Sequence, residues 1–168
     1  RPPVASALTT PDALKMNRFF REALDAGCGA AVCEVSSHAL DQRRVWGIRF
    51  DTVAFTNLTQ DHLDYHQTME RYLEAKKRLF TEYEYKKAVV NVDDPYGRRL
   101  AAELKRAGKR VVTVGRRAGA AVRILSSKSD LRGSRARIRL FGKSMPIQLG
   151  LIGAWLSSLY FAIPLVVM

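Results

Sequence analysis

Apolar and polar positions along this chain change their period several times, and each change marks an expected element. Thr10-Pro11-Asp12 reads as a helix start, with a hydroxyl at the N-cap, proline at the first helical position and an acid in the first turn. Met16, Phe19, Phe20, Ala23 and Leu24 follow at helical spacing, and Gly27 ends the run. Ala30 to Val35 reads as a buried strand, Thr52 to Thr56 as a second and Ala88 to Val92 as a third. Between the last two, a helix after Thr68 is expected to bury Met69, Tyr72, Leu73, Leu79 and Phe80. Asp94-Pro95 opens another helix reaching Gly108, and Arg110 to Val114 makes a fourth strand. Apolar strands alternating with amphipathic helices predict an α/β fold with a doubly wound, mostly parallel sheet.

Past Gly115 the period becomes two. Ala136, Ile138 and Leu140 alternate with Arg135, Arg137 and Arg139, the pattern of a half-exposed antiparallel strand. Val122 to Leu125 and Pro146 to Leu149 are expected to pair with it as a small antiparallel β extension. The expected organisation is therefore an α/β part over residues 1–115, its β extension over 116–153, and an apolar tail over 154–168. Leu149 to Met168 carries no charge, a length and composition that suit either a membrane span or a buried helix. Gly150, Gly153, Ser157, Ser158 and Pro164 weaken the span, and no basic cluster follows it.

Charge alters this picture only locally. The net charge is +12, yet Lys105 to Lys143 holds thirteen Lys and Arg against the single acid Asp130, and the remainder is neutral. Such a tract either contacts phosphates or forms solvated strand faces. The two cysteines, Cys28 and Cys33, make no disulfide framework, and with no signal peptide a reducing cytoplasm is the expected compartment. A first residue other than Met marks the chain as an expected fragment or processed product.

In open α/β sheets, ligands gather beyond the carboxyl ends of the strands. Glu34 lies near one expected strand end, and a carboxylate within an apolar run calls for a partner or a metal. Thr56-Asn57 close the next strand, and Asp61 to His66 follow, so Glu34 and His62 are expected to reach one crevice. Their ordinary readings are a helix-capping carboxylate and a surface histidine. His62 and His66 are spaced to share a helical face, but no carboxylate or cysteine spacing supports zinc, and an oxygen-rich Mg²⁺ site suits the acids better. Lys76 falls on the apolar stripe of its helix, three residues from Leu73 and seven from Met69. Burial favours a neutral lysine, and a neutral amine reacts with CO₂ to give an anionic carbamate. Its ordinary reading is a side chain that extends to solvent. Gly142-Lys143-Ser144 looks like the end of a phosphate-binding loop, but Arg137 stands at its first glycine and no helix pattern follows.

Several of these runs resemble the Mur ligases: Thr9-Thr10-Pro11, Glu34 to Leu40, Thr56 to Thr59 through Asp61 to His66, Tyr72 through Lys76 to Phe80, and Asn91 to Pro95. The resemblance covers roughly residues 4–153. Within the family it points to the branch that adds diaminopimelate or lysine to UDP-N-acetylmuramoyl-L-alanyl-D-glutamate. It implies a cytoplasmic ligase that uses ATP and Mg²⁺ in peptidoglycan synthesis, through an acyl phosphate of the D-glutamate carboxylate. Thr9, Thr10, Ser36, Gln42 and Arg44 match residues that hold the muramoyl-peptide substrate. Lys76 matches a carbamylated lysine, and Glu34 and His62 match its partners at Mg²⁺. Asn91 and Asp94 fall where the family approaches the nucleotide. The resemblance implies no nucleic-acid partner, no specific membrane role and a monomer when full length.

It also places the family's glycine-rich phosphate loop upstream of Arg1, so the expectation is that this polypeptide alone neither binds ATP tightly nor turns over. Leu151 to Gly153 still follow the family and Ala154 onward does not, as expected for a frameshift or gene-fragment end. The competing readings are another Mur or folylpolyglutamate-type ligase, an inactive gene remnant, and a basic, membrane-tethered binding module using the Lys105 to Lys143 tract.

Overall fold

The computed structural model describes residues 8–58, 63–130, 133–140 and 142–149. The expectations placed on His62 and on the tail from Gly150 onward lie outside the described residues. In chain order the elements are α1 (Ala13–Asp25), α2 (Ser37–Asp41), β1 (Phe50–Phe55), α3 (Leu63–His66), α4 (Met69–Thr81), β2 (Tyr85–Asn91), α5 (Pro95–Arg106), β3 (Val111–Gly115), β4 (Val122–Asp130), β5 (Gly133–Leu140) and β6 (Lys143–Leu149). They fall into two compact units. One holds the four helices α1–α4; the other holds all six strands and α5.

In the helical unit, α4 begins where the sequence places it. Thr68 is its N-cap, its hydroxyl accepting from Arg71 N at 3.2 Å, and Tyr72, Leu73, Ala75, Leu79 and Phe80 are buried. The α1 start differs from expectation. Asp12, not Thr10, caps the helix, accepting from Lys15 N at 3.0 Å, because the Thr10 hydroxyl is engaged elsewhere. Of the expected apolar stripe only Met16 is buried, while Phe19 is 56% exposed and Leu24 63%. The chain turns out of α1 at Gly27, whose φ of +80° suits a residue without Cβ.

The expected strand at Ala30 to Val35 is not formed. The segment makes no ladder, and Val32 stands 65% exposed. A strand exists only through hydrogen bonds to a neighbour, and the described residues supply none for this run. Both cysteines are free, and burial pushes the Cys33 thiol up, away from the reactive thiolate.

The sheet unit follows the expected α/β pattern closely. Its strand order is β1-β2-β3-β4-β5-β6. The first three pairings are parallel and the last two antiparallel, so the arginine-alternating segment extends the same sheet. Val89, Val114, Val122, Ile124, Ala136 and Ile138 form one buried cluster along it. Over β2 and β3 lies α5, burying Leu100, Ala101 and Leu104. Its first turn sits so close to β2 that a Cβ at Gly97 would stand 2.0 Å from the Asn91 carbonyl oxygen and 3.3 Å from Phe55 Cδ1. The Gly142-Lys143-Ser144 run is a turn entering β6, not the start of a helix.

Gly97→Ala is expected to destabilise the sheet unit by about 3 kcal/mol, since the clash is with backbone that cannot yield cheaply. Urea unfolding followed by circular dichroism measures it, and an unchanged midpoint would contradict this close approach.

Candidate functional site

In the helical unit, Thr10 is 1% exposed and ties two distant stretches of chain together. Its hydroxyl donates to the Glu34 carbonyl oxygen at 2.9 Å and accepts from the Ser36 amide at 3.0 Å. The Ser36 hydroxyl lies 3.5 Å away and caps α2, accepting from Ala39 N at 3.2 Å. Arg44, half-buried, closes the arrangement from the far end of α2. Its Nη1 donates to the Thr10 carbonyl oxygen at 2.9 Å, and its Nε and Nη2 donate to Gln42 Oε1 at 3.0 and 2.5 Å. Thr10, Ser36, Gln42 and Arg44, four of the five residues matched to substrate holding, thus share one hydrogen-bond network. Thr9, the fifth, is exposed beside them. Glu34 enters through its main chain, with its side chain exposed rather than buried in a strand.

A second cluster adjoins the first through the neighbouring residue. Ser37 is buried, and its hydroxyl lies 2.8 Å from His66 Nε2. His66, 6% exposed, stacks on Tyr72 with ring centroids 5.0 Å apart and planes 17° apart. The half-buried Lys76 holds its Nζ 5.1 Å from the centroid of the Tyr72 ring, in cation–π range. Lys77 and Arg78 diverge as their positions predict, Lys77 to Glu74 at 3.1 Å and Arg78 to Asp41 at 2.9 Å. A third feature flanks this cluster. The Tyr65 hydroxyl donates to Asp41 Oδ2 at 2.6 Å, while the Tyr65 ring lies 4.1 Å from that of His38. That hydrogen bond, with Arg78 beside it, holds the Asp41 carboxyl below its ordinary range, and the same bond pushes the Tyr65 phenol up.

The metal set that the resemblance implies is Glu34, His62 and Lys76, of which His62 lies outside the described residues. Among the described residues no three His, Cys, Asp or Glu side chains gather to hold a metal. The donor chemistry nevertheless fits a hard cation: a solvent-facing carboxylate and a lysine that becomes a second oxygen donor as a carbamate.

In the sheet unit, Asn91 and Asp94 lie at the carboxyl ends of β1 and β2, where open sheets bind ligands. Asn91 Nδ2 donates to the Thr56 carbonyl at 2.6 Å, and its Oδ1 accepts from Asp93 N at 2.9 Å. Asp94 caps α5, Oδ1 taking Gly97 N at 2.9 Å, and its Oδ2 takes Leu58 N at 3.0 Å. Both side chains therefore shape the crevice floor. Asp93 clamps the loop after β3, accepting from Arg116 N at 2.9 and 2.8 Å.

A description of the Mur ligase middle domain matches residues 3–158. The chain belongs to the Mur ligase middle-domain family. It is 46% identical over 150 residues to the UDP-N-acetylmuramoyl-L-alanyl-D-glutamate–2,6-diaminopimelate ligase of Aquifex aeolicus, covering 89% of this chain and 30% of that protein. It is 62% identical over 93 residues to the ligase of the same name from Synechococcus elongatus, covering 55% and 19%. A solved structure of a ligase with that name superposes with a TM-score of 0.79 at 29% identity, over 96% of this chain and 33% of that one. The MurF ligase of Thermotoga maritima, solved with ADP, shares the fold at a TM-score of 0.57 and 20% identity, over 79% and 30%. The Mur middle domain seen here thus spans about three tenths of the Aquifex aeolicus relative.

The Ser37–His66 contact and the Tyr65–Asp41 clasp were not foreseen in the sequence, where His66 entered only as a candidate to share a helical face with His62. Their only signals were a second serine after Ser36 and the closely spaced Tyr65-His66, neither of which states a partner.

Thr10→Val keeps the shape of the side chain but strands the Ser36 amide. It is expected to cost roughly 1–3 kcal/mol, with Thr10→Ser near the parent, as read by denaturant titration. The clasp has a defined pH window. Its Asp41 contribution is present above about pH 4 and lost as pH falls through the lowered folded value, while its Tyr65 contribution is present below about pH 10 and lost above. Ultraviolet titration is expected to show Tyr65 ionising later than a free phenol, and Asp41→Asn to bring that ionisation back down.

Proposed function

We propose that this middle domain serves a ligase that joins 2,6-diaminopimelate to UDP-N-acetylmuramoyl-L-alanyl-D-glutamate with ATP as co-substrate. The observation that carries this reading is the network that Thr10 builds with Ser36, Gln42 and Arg44 across two separate stretches. It supports the reading because it presents hydroxyls and a guanidinium oriented by internal hydrogen bonds, as a carboxylate-bearing peptide requires. The names borne by the relatives above point to the same substrate and to diaminopimelate rather than lysine.

On this reading, phosphoryl transfer from ATP to the D-glutamate carboxylate forms an acyl phosphate and releases ADP. The amine of diaminopimelate then attacks the acyl carbon, forming the amide and releasing phosphate, and the amine loses its proton. Arg44, with Gln42 fixing its orientation, holds the muramoyl peptide so that its carboxylate is positioned for this transfer. Glu34, His62 and carbamylated Lys76 would hold Mg²⁺, which when bound supplies positive charge to the oxygens that gain negative charge in phosphoryl transfer. Asn91 and Asp94 act indirectly at the nucleotide, by setting the loops at the ends of β1 and β2.

Calorimetric titration of the chain with UDP-N-acetylmuramoyl-L-alanyl-D-glutamate tests the substrate side. Binding is expected, with Arg44→Ala weakening it by roughly tenfold or more through loss of a charge-assisted contact; equal affinity for the two would sink the assignment. In the complete enzyme, Lys76→Ala is expected to abolish most product formation. A ligase that prefers lysine over diaminopimelate would overturn the choice of amino acid.

A further inference from the structure

The basic tract resolves into a single face of the sheet. Cross-strand partners lie on the same side of a sheet, and the register sets Arg139 opposite Arg123 and Arg135 opposite Lys128. Arg137 lies between them on β5, facing Ser126 on β4 and Pro146 on β6. Arg135, Arg137 and Arg139 are all exposed, while the alternate residues Ala136 and Ile138 are buried. Through the pairing of Gly115 with Arg123, this face continues the one that α5 covers over β2 and β3. Beyond the helix it bears five cations on two neighbouring strands, within about 5 by 14 Å at ordinary strand and residue spacings.

Like charges directly opposite one another destabilise a sheet, and this face has two such pairs. Asp130 is the sole acid between Val122 and Leu149, and it is paired with Arg135 at 3.1 Å. Solubility needs no such arrangement, since interspersed signs achieve it without mutual repulsion. Four of the five cations are arginines, whose planar guanidinium matches phosphate oxygens in pairs. An open groove of about 440 Å³ in this part of the sheet is bordered by Lys128, Arg135 and Arg137 together with Ser127, Ala136 and Ile147 of the alternate parity.

We propose that this face docks on an anionic phospholipid surface. A nearly planar array of cations matches a plane of headgroup phosphates, each cation near the surface adding to the attraction. Single-stranded nucleic acid is disfavoured, because such binding stacks bases on aromatic side chains and, among the described residues of β4, β5 and β6, none on this face is aromatic. The contact is peripheral and electrostatic; among the described residues no helix is long and apolar enough to cross a membrane.

The test is flotation of the chain with phosphatidylcholine vesicles containing about 30 mol% phosphatidylglycerol, with pure phosphatidylcholine vesicles alongside. Binding is expected to the anionic vesicles alone and to fall steeply with added salt. The triple variant Arg135→Gln, Arg137→Gln, Arg139→Gln is expected to bind roughly 50-fold more weakly or less. Its thermal midpoint is expected to match or exceed that of the parent, because cross-strand repulsion is relieved. Three results would each overturn the proposal: no binding to anionic vesicles, binding to neutral vesicles that the triple variant retains, or tighter binding to a single-stranded oligonucleotide than to the vesicles. The second would assign the membrane contact to apolar residues, and the third would make the face a nucleic-acid surface.

Discussion

The helical unit depends on one buried hydroxyl. Thr10 is both donor and acceptor, so a single side chain satisfies the Glu34 carbonyl and the Ser36 amide. These groups belong to a segment with no ladder of its own, and main-chain groups without partners away from water are costly. The hydroxyl therefore supplies what a neighbouring strand would otherwise give. The start of α2 and the residues just after it are tied to this bond. Ser36 caps α2, Arg44 at the end of α2 returns to the Thr10 carbonyl, and Gln42 fixes the guanidinium plane.

From Ser37 the same order passes into a packed column of rings. His66 touches the serine with one nitrogen and lays its face on Tyr72, and Lys76 rests above the tyrosine one helical turn on. The Thr10–Arg44 network and Lys76 are thus linked through Ser37, His66 and Tyr72, the three side chains and Lys76 each in defined contact with the next. In the sheet unit the corresponding fixed point is Asp94. Its two carboxylate oxygens join the start of α5 to the loop after β1, and Asn91 ties the same loop to the end of β2.

Much of this was legible in the chain. The parallel strands announced themselves as short apolar runs, and the antiparallel extension as strict alternation of arginine with apolar residues. Thr68 and Asp94 capped the helices that their positions promised, because each precedes a run whose apolar face packs on something. Thr10 misled for a physical reason: two good capping residues stood two apart, and the carboxylate of Asp12 took the helix while the hydroxyl was drawn to a partner 24 residues away. Ala30 to Val35 misled because strand propensity reports a preference for a pleated neighbour, not the presence of one. The Ser37–His66 contact was invisible because nothing local in either residue specifies a partner 29 positions off.

The helical unit is assembled from two stretches of chain with β1 between them. Thr10, Ser36 and Arg44 all precede β1, so their network closes from contiguous sequence. The ring column does not, since Ser37 precedes β1 whereas His66, Tyr72 and Lys76 follow it. Long-range contacts form late, after the entropy of closing the intervening loop has been overcome. In a nascent chain the Thr10–Ser36–Arg44 network can therefore close first, and Lys76 reaches the ring column only after β1 has been made.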